Sequence, residues 1–171
     1  MIYKLCQNKK KLYLCGMRKY ILLAFVIGIV SMGFMMYKTS GINDKPLVRW
    51  YYDFNEGLKV AKEQNKHIMI DVYTDWCGWC KKLDQITYRD KEVVEILEKD
   101  FISIKLDPET PNVYYDYAGK QYTGKQLERK FKIKGYPAII FMRADGSLIE
   151  VAEGYHTPVE MVEALKIVLK K

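Results

Sequence analysis

Asp71-Val72-Tyr73-Thr74-Asp75-Trp76-Cys77-Gly78-Trp79-Cys80-Lys81-Lys82 is the stretch on which the chain is organised. Upstream of it, Ile68-Met69-Ile70 is apolar without alternation, as in a central strand covered on both faces. Downstream, the spacing predicts a helix from Cys77 to about Ile86. A Cys-x-x-Cys pair therefore falls where a strand passes into a helix.

That position has a chemical consequence. The unpaired N–H groups and the dipole at a helix start favour a negative sulfur, so the first cysteine is held more as thiolate. The second, one turn on, shares its face and can close a disulfide. The pair reads as a two-cysteine switch in which Cys77 attacks and Cys80 resolves. The rival reading is half of a zinc site. It lacks ligands: only His67 and His156 remain in the domain, and neither has knuckle spacing to the cysteines. No metal is expected, and no cofactor beyond the redox-active disulfide Cys77–Cys80 itself.

Working outward, the charge is unevenly placed. The formal net charge is +7, yet seven of the 28 basic residues and none of the 21 acidic ones lie in residues 1–40. The remainder is electrically balanced, so the basic total does not imply nucleic acid, and no nucleic-acid partner is expected. Residues 20–37 carry no charge and are bracketed by Tyr20 and Tyr37. A run of this length is near the short end of a membrane-spanning helix, about 17 to 25 residues. It exceeds the usual apolar region of a signal peptide, about 7 to 15 residues, and no small-residue cleavage site follows. Residues 1–19 are thus expected to be a cytoplasmic basic N-terminus, 20–37 a transmembrane anchor with a signal peptide as the alternative, 38–47 a linker, and 48–171 one domain on the extracytoplasmic side. A domain of that size buries a core without disulfide staples, so Cys77 and Cys80 are not needed to hold it together.

Within the domain, Val48–Tyr52 is a candidate edge strand. Asp53–Lys66 is a helix, with Asp53 and Glu56 as a capping-box-like pair and Phe54, Leu58 and Ala61 as its stripe. His67–Tyr73 is a strand. Asp90 caps a helix over Lys91–Lys99 with Val93, Val94, Ile96 and Leu97 inward, and Phe101–Leu106 is the next strand. Asp107–Tyr122 reads as a long irregular, tyrosine-rich loop. Thr123 and Gln126 open a helix to about Phe131. The strands Ala138–Arg143 and Ser147–Ala152 are joined at Asp145-Gly146. A last helix starts at Thr157-Pro158-x-Glu160. The order is β-α-β-α-α-β-α-β-β-α, which implies an α/β mixed sheet with helices on both faces.

Over residues 48–170 these features resemble the thioredoxin superfamily. Ile68 to Cys77 looks like its central strand and Trp-Cys active site, and Gly135-Tyr136-Pro137 matches the segment around its cis-proline. Gly146 and Gly154 match its glycines at the hairpin and before the last helix. Gly78-Trp79 departs from the usual Gly-Pro. The extra segment at Thr87–Asp100 and the apolar N-terminus make the chain similar to exported thioredoxin-like proteins, among them the C-terminal domain of the periplasmic interchange protein DsbD. The resemblance implies a thioredoxin fold, with Asp71 as a buried acid beneath Cys80 and Lys105 beside it. A desolvated Asp71 has a raised pKa and can take the Cys80 proton, and Lys105 tunes it. The resemblance also implies that Tyr136, ahead of a cis Pro137, offers backbone groups to an extended substrate strand. Trp76, Gly78 and Trp79 form the contact surface at the cysteines.

The function expected from this is a membrane-anchored extracytoplasmic thiol–disulfide oxidoreductase reducing protein disulfides. Its partners are protein thiol or disulfide substrates and a membrane electron donor. An oxidase or isomerase of the same fold, or a noncatalytic binding module using the Trp76–Trp79 rim and the tyrosine loop, stays open at this point.

Overall fold

The computed structural model describes residues 47–171. Residues 1–46, with the expected N-terminus, anchor and nearly all of the linker, lie outside the described residues. Among the described residues no helix is long and apolar enough to cross a membrane.

The elements are β1 (Trp50–Tyr51), α1 (Phe54–Gln64), β2 (His67–Val72), α2 (Gly78–Gln85), a 3-10 turn (Thr87–Arg89), α3 (Lys91–Asp100), β3 (Phe101–Leu106), β4 (Val113–Tyr115), β5 (Gln121–Thr123), α4 (Gly124–Phe131), β6 (Ala138–Met142), β7 (Leu148–Glu153) and α5 (Pro158–Val168). Five strands form one sheet in the order β1-β3-β2-β6-β7. β1, β3 and β2 run parallel, while β6 is antiparallel to β2 and β7 to β6. The mixed sheet is therefore as expected, with β1 at its edge, although β1 is shorter than the sequence suggested.

Both faces of the central strands are buried, which explains their unbroken apolar sequence. Ile68, Ile70 and Val72 face α1 and α4, packing with Phe54, Leu58, Leu127 and Phe131. Met69 faces the other way, with Leu83 of α2, Val93, Val94 and Leu97 of α3, and Met161 and Leu165 of α5. Asp71 alternates with Ile70 and Val72, so it lies on the α2 side of the sheet. Its neighbour in register on β3 is Lys105.

Local capping sets the helix starts. The Asp53 carboxylate accepts from the N–H groups of Asn55 and Glu56 at 2.8 and 3.1 Å. The Glu56 side chain does not return the bond, so only half of the expected capping box forms; one acidic cap already serves these donors. Thr123 with Gln126, and Thr157 with Glu160, form complete capping boxes.

The segment Asp107–Tyr122, expected to be irregular, contains β4 and most of β5, paired antiparallel with Tyr114 opposite Tyr122. Asp116 organises the turn between them. Its Oδ1 accepts from the N–H groups of Ala118 and Lys120, and its Oδ2 from the Tyr122 hydroxyl and Lys130 Nζ. The hairpin is tied to α1 by Tyr115 N–H donating to Asn55 Oδ1 at 2.8 Å and by the Tyr117 hydroxyl donating to the Leu58 carbonyl at 2.7 Å. Strands this short, held by side-chain contacts with a distant helix, leave no periodic signal in the sequence.

Candidate active site

β2 ends at Val72, and the chain turns so that Cys77 N–H donates to the Thr74 carbonyl at 3.1 Å. Cys77 then caps α2: its Sγ accepts from the Cys80 N–H at 3.1 Å. The same N–H stands ready to stabilise a thiolate at that sulfur once the pair is reduced. Cys77 and Cys80 are joined by a disulfide with an S–S length of 2.05 Å. Cys77 keeps 5% of its surface open and Cys80 only 1%, so Cys77 is the more accessible of the two.

On the same side of the sheet, Lys105 Nζ donates to Asp71 Oδ2 at 2.5 Å and to Asp84 Oδ1 at 2.6 Å. Asp71 is fully buried, the Lys105 side chain nearly so, while the Asp84 side chain is 45% exposed. Asp84 sits one helical turn after Cys80, so α2 carries both the resolving sulfur and this second carboxylate. The rings of Trp50, Tyr73 and Tyr88 surround the ammonium at 4.6, 5.0 and 5.4 Å. Their faces help to hold a cation withdrawn from water.

One ammonium cannot neutralise two carboxylates. Asp84 keeps partial access to water, so the burial cost falls on Asp71. Burial raises the Asp71 pKa, and the neighbouring Lys105 only partly offsets this. Burial would lower the Lys105 pKa, but Asp71 and Asp84 outweigh it and hold the ammonium above its ordinary value. Asp71 Oδ1 has no hydrogen-bond partner among the described residues, nor do the buried Thr74 Oγ1 and Tyr88 hydroxyl. Burial, with the Asp71 charge nearby, pushes the Tyr88 pKa well up, so this phenol stays protonated.

Around the disulfide lies an aromatic rim. Trp76 and Trp79 are 66% and 56% exposed. Trp76 packs edge-on against Tyr136, with ring centroids 5.6 Å apart, and its Nε1 donates to Glu109 Oε2 at 3.0 Å. Trp79 packs on Tyr155 at 5.4 Å. The Tyr136–Pro137 peptide bond is cis. The Pro137 carbonyl accepts from Gly154 N–H at 2.8 Å, whereas Tyr136 N–H and C=O enter no hydrogen bond among the described residues. Gly78 is exposed, and a β-carbon added there would meet nothing within 4 Å.

The structure thus joins Asp71 and Lys105 to α2 through Asp84, one turn after Cys80, and joins Cys77 to Cys80, while Trp76 and Trp79 beside them pack on Tyr136 and Tyr155. His67 opens β2, at the far end of that strand from Cys77. Sequence reading missed Asp84, Tyr88, Glu109 and Tyr155. Only Asp84 left a signal, its i+4 spacing from Cys80. A cleft of about 340 Å³ lined by Phe54, Leu58, Tyr117, Leu127 and Phe131 holds none of the cysteine-site residues.

A strand-to-helix Cys-x-x-Cys pair together with a buried acid on the preceding strand and a cis-proline fits the thioredoxin-like proteins. Residues 54–169 match the family described as a thioredoxin-like domain, and the chain belongs to that family. Among curated relatives, it is 31% identical over 97 residues to the thiol:disulfide interchange protein DsbD of Pseudoalteromonas atlantica, covering 57% of this chain but 15% of DsbD. Its fold is like that of a thioredoxin from Thermus thermophilus, with TM-score 0.59 and 21% identity over 71% of this chain and 87% of that one. The oxidised C-terminal domain of Neisseria meningitidis DsbD is also similar, with TM-score 0.51 and 24% identity over 66% and 89% of the two chains.

Proposed function

We propose that this chain is a membrane-anchored thiol–disulfide oxidoreductase that reduces protein disulfides on the extracytoplasmic side. The observation that carries the reading is the cysteine pair at the start of α2, a helix whose Asp84 shares Lys105 with the buried Asp71. The similarity to an interchange protein supports the same chemistry. The uncharged run of residues 20–37 after a basic segment supports the anchor.

In the reduced chain, the Cys77 thiolate attacks one sulfur of a partner disulfide. That bond breaks, a Cys77–partner disulfide forms, and the other partner sulfur leaves as thiolate and takes up a proton. Cys80 then passes its proton to the Asp71 carboxylate and attacks Cys77 Sγ. The second partner sulfur leaves as thiolate and takes up a proton, and the Cys77–Cys80 disulfide closes. Two electrons have moved from this chain to the partner, which ends as two thiols. Lys105 keeps Asp71 ionisable despite its burial, and Tyr136 supplies the free backbone groups for an extended partner segment. A dithiol donor in the membrane reloads the pair.

Trapping and potential together test this. Cys80→Ser should accumulate mixed disulfides through Cys77, and Cys77→Ser should lose insulin disulfide reduction in the presence of dithiothreitol. A Cys77→Ser protein that still reduces insulin refutes the reading. A reduction potential near about −270 mV supports a reductant, and one near about −120 mV would assign the chain to the oxidants instead.

A further inference from the structure

The two flanks of the aromatic rim carry opposite charge, and they differ in how that charge is satisfied. On the Trp76 flank the charge is negative and already engaged: Glu109 accepts from Trp76 Nε1, and its other oxygen lies 3.8 Å from Lys125 Nζ. On the Trp79 flank the charge is positive and unengaged. Lys82 Nζ stands 4.8 Å from the centre of the Trp79 ring and 4.9 Å from that of Tyr155, and forms no ion pair among the described residues. The two rings flank the ammonium and favour this position, but their quadrupoles do not neutralise it. The contacts with the two rings restrict its side chain before anything binds.

A positioned, unpaired cation on an exposed aromatic platform is a receptor for an anion, and its place two residues after Cys80 says which anion arrives. We propose that the Trp79–Tyr155–Lys82 flank binds a carboxylate side chain close to the reacting cysteine of the partner protein, and so fixes the direction in which the partner segment crosses Cys77. The proposal rests on the dithiol reading above. A segment with an acidic residue on one side of its cysteine and a basic one on the other fits the rim one way round, with the acid on Lys82 and the base towards Glu109. The reverse placement sets the base against the unpaired Lys82.

The test uses two peptides of identical composition, each with one cysteine capped as a mixed disulfide by 2-mercaptoethanol. One reads acid–cysteine–base and the other base–cysteine–acid. The full chain, kept in detergent, is reduced with dithiothreitol and freed of it. Single-turnover rates are measured at low ionic strength and normalised, in each variant, to the rate with neutral hydroxyethyl disulfide. The isomers have the same net charge, so general attraction cancels. The expected result is a difference of about threefold between them, the size of one exposed ion pair. Lys82→Gln should bring the normalised rates together, and Lys82→Glu should reverse their order. Equal rates in the unaltered chain, or a difference that survives Lys82→Gln, overturns the proposal while leaving the dithiol reading intact. Failure of all three disulfides to react with the reduced chain overturns the dithiol reading, and the proposal with it.

Discussion

Asp71 and Lys105 stand opposite each other in register on the parallel strands β2 and β3, joined Oδ2 to Nζ at 2.5 Å on the side of the sheet that faces α2. The pair is not a self-sufficient salt bridge. Asp84 draws on the same ammonium from α2, and burial works against the Asp71 charge more strongly than Lys105 works for it. A buried ion pair contributes little to stability on balance. Its effect is to hold a buried acid that is reluctant to ionise on the side of the sheet that faces α2.

The first prediction concerns stability and pH. The Asp71 pKa is raised above its ordinary value in the folded chain, so the folded state binds the proton more tightly than the unfolded one. The stability this confers is complete below the unfolded pKa and is lost as pH rises through the folded pKa. Asp71→Asn has no such titration. In urea unfolding of the oxidised full chain at a series of pH values, the stability of the variant relative to the unaltered chain should increase from pH 4 upward, then level off. A relative stability that falls as pH rises would show that the Lys105 charge, not burial, governs Asp71.

Lys105 and Asp84 should act on Asp71 with opposite signs. Lys105→Met removes the cation that favours the Asp71 carboxylate, so the pH at which Cys80 resolves the mixed disulfide should move up. At neutral pH that step should slow by about tenfold, part of the 10²- to 10⁴-fold contribution of a general base. Asp84→Asn removes a negative charge that raises the Asp71 pKa and leaves Lys105 to Asp71 alone, so the same midpoint should move down. Decay of the Cys77 mixed disulfide, quenched at intervals across pH, measures both. Shifts in the same direction would mean that the two residues only maintain packing.

Much of this was legible in the sequence, for identifiable reasons. The unbroken Ile68-Met69-Ile70 run marked a strand buried on both faces, and the Thr123/Gln126 and Thr157/Glu160 pairs marked helix starts. Cys77 as a helix cap followed from its place after a strand. The contact of Lys105 with Asp71 did not follow from spacing; it depends on the register of β2 with β3, 34 residues apart in sequence, and only family resemblance suggested it. Tyr88 reaches the cluster through a 3-10 turn that no periodicity announces. The β4–β5 hairpin was missed because a single carboxylate, Asp116, and contacts to α1 hold its short strands together.

That hairpin yields the last prediction, at the β6–β7 turn, which is the other end of β6 from Pro137. Gly146 has φ +83, and a β-carbon there would come 2.3 Å from Tyr117 Cδ2, closer than packing allows. Tyr117 cannot simply retreat, because its hydroxyl is bonded to the Leu58 carbonyl. Gly146→Ala therefore meets two separate penalties, backbone strain at positive φ and a clash with the ring, for a total of about 2 to 4 kcal/mol. Only the second depends on Tyr117. In a Tyr117→Ala background the clash is gone, and Gly146→Ala should cost only the strain, about 1 to 2 kcal/mol. A double-mutant cycle by urea unfolding should accordingly show coupling of at least about 1 kcal/mol between these residues. Disulfide-exchange rates should stay unchanged throughout, since neither residue touches the cysteine cluster. Additive costs would mean that the Tyr117 ring does not rest on Gly146 in solution, and that the hairpin is held to the domain by its α1 contacts alone.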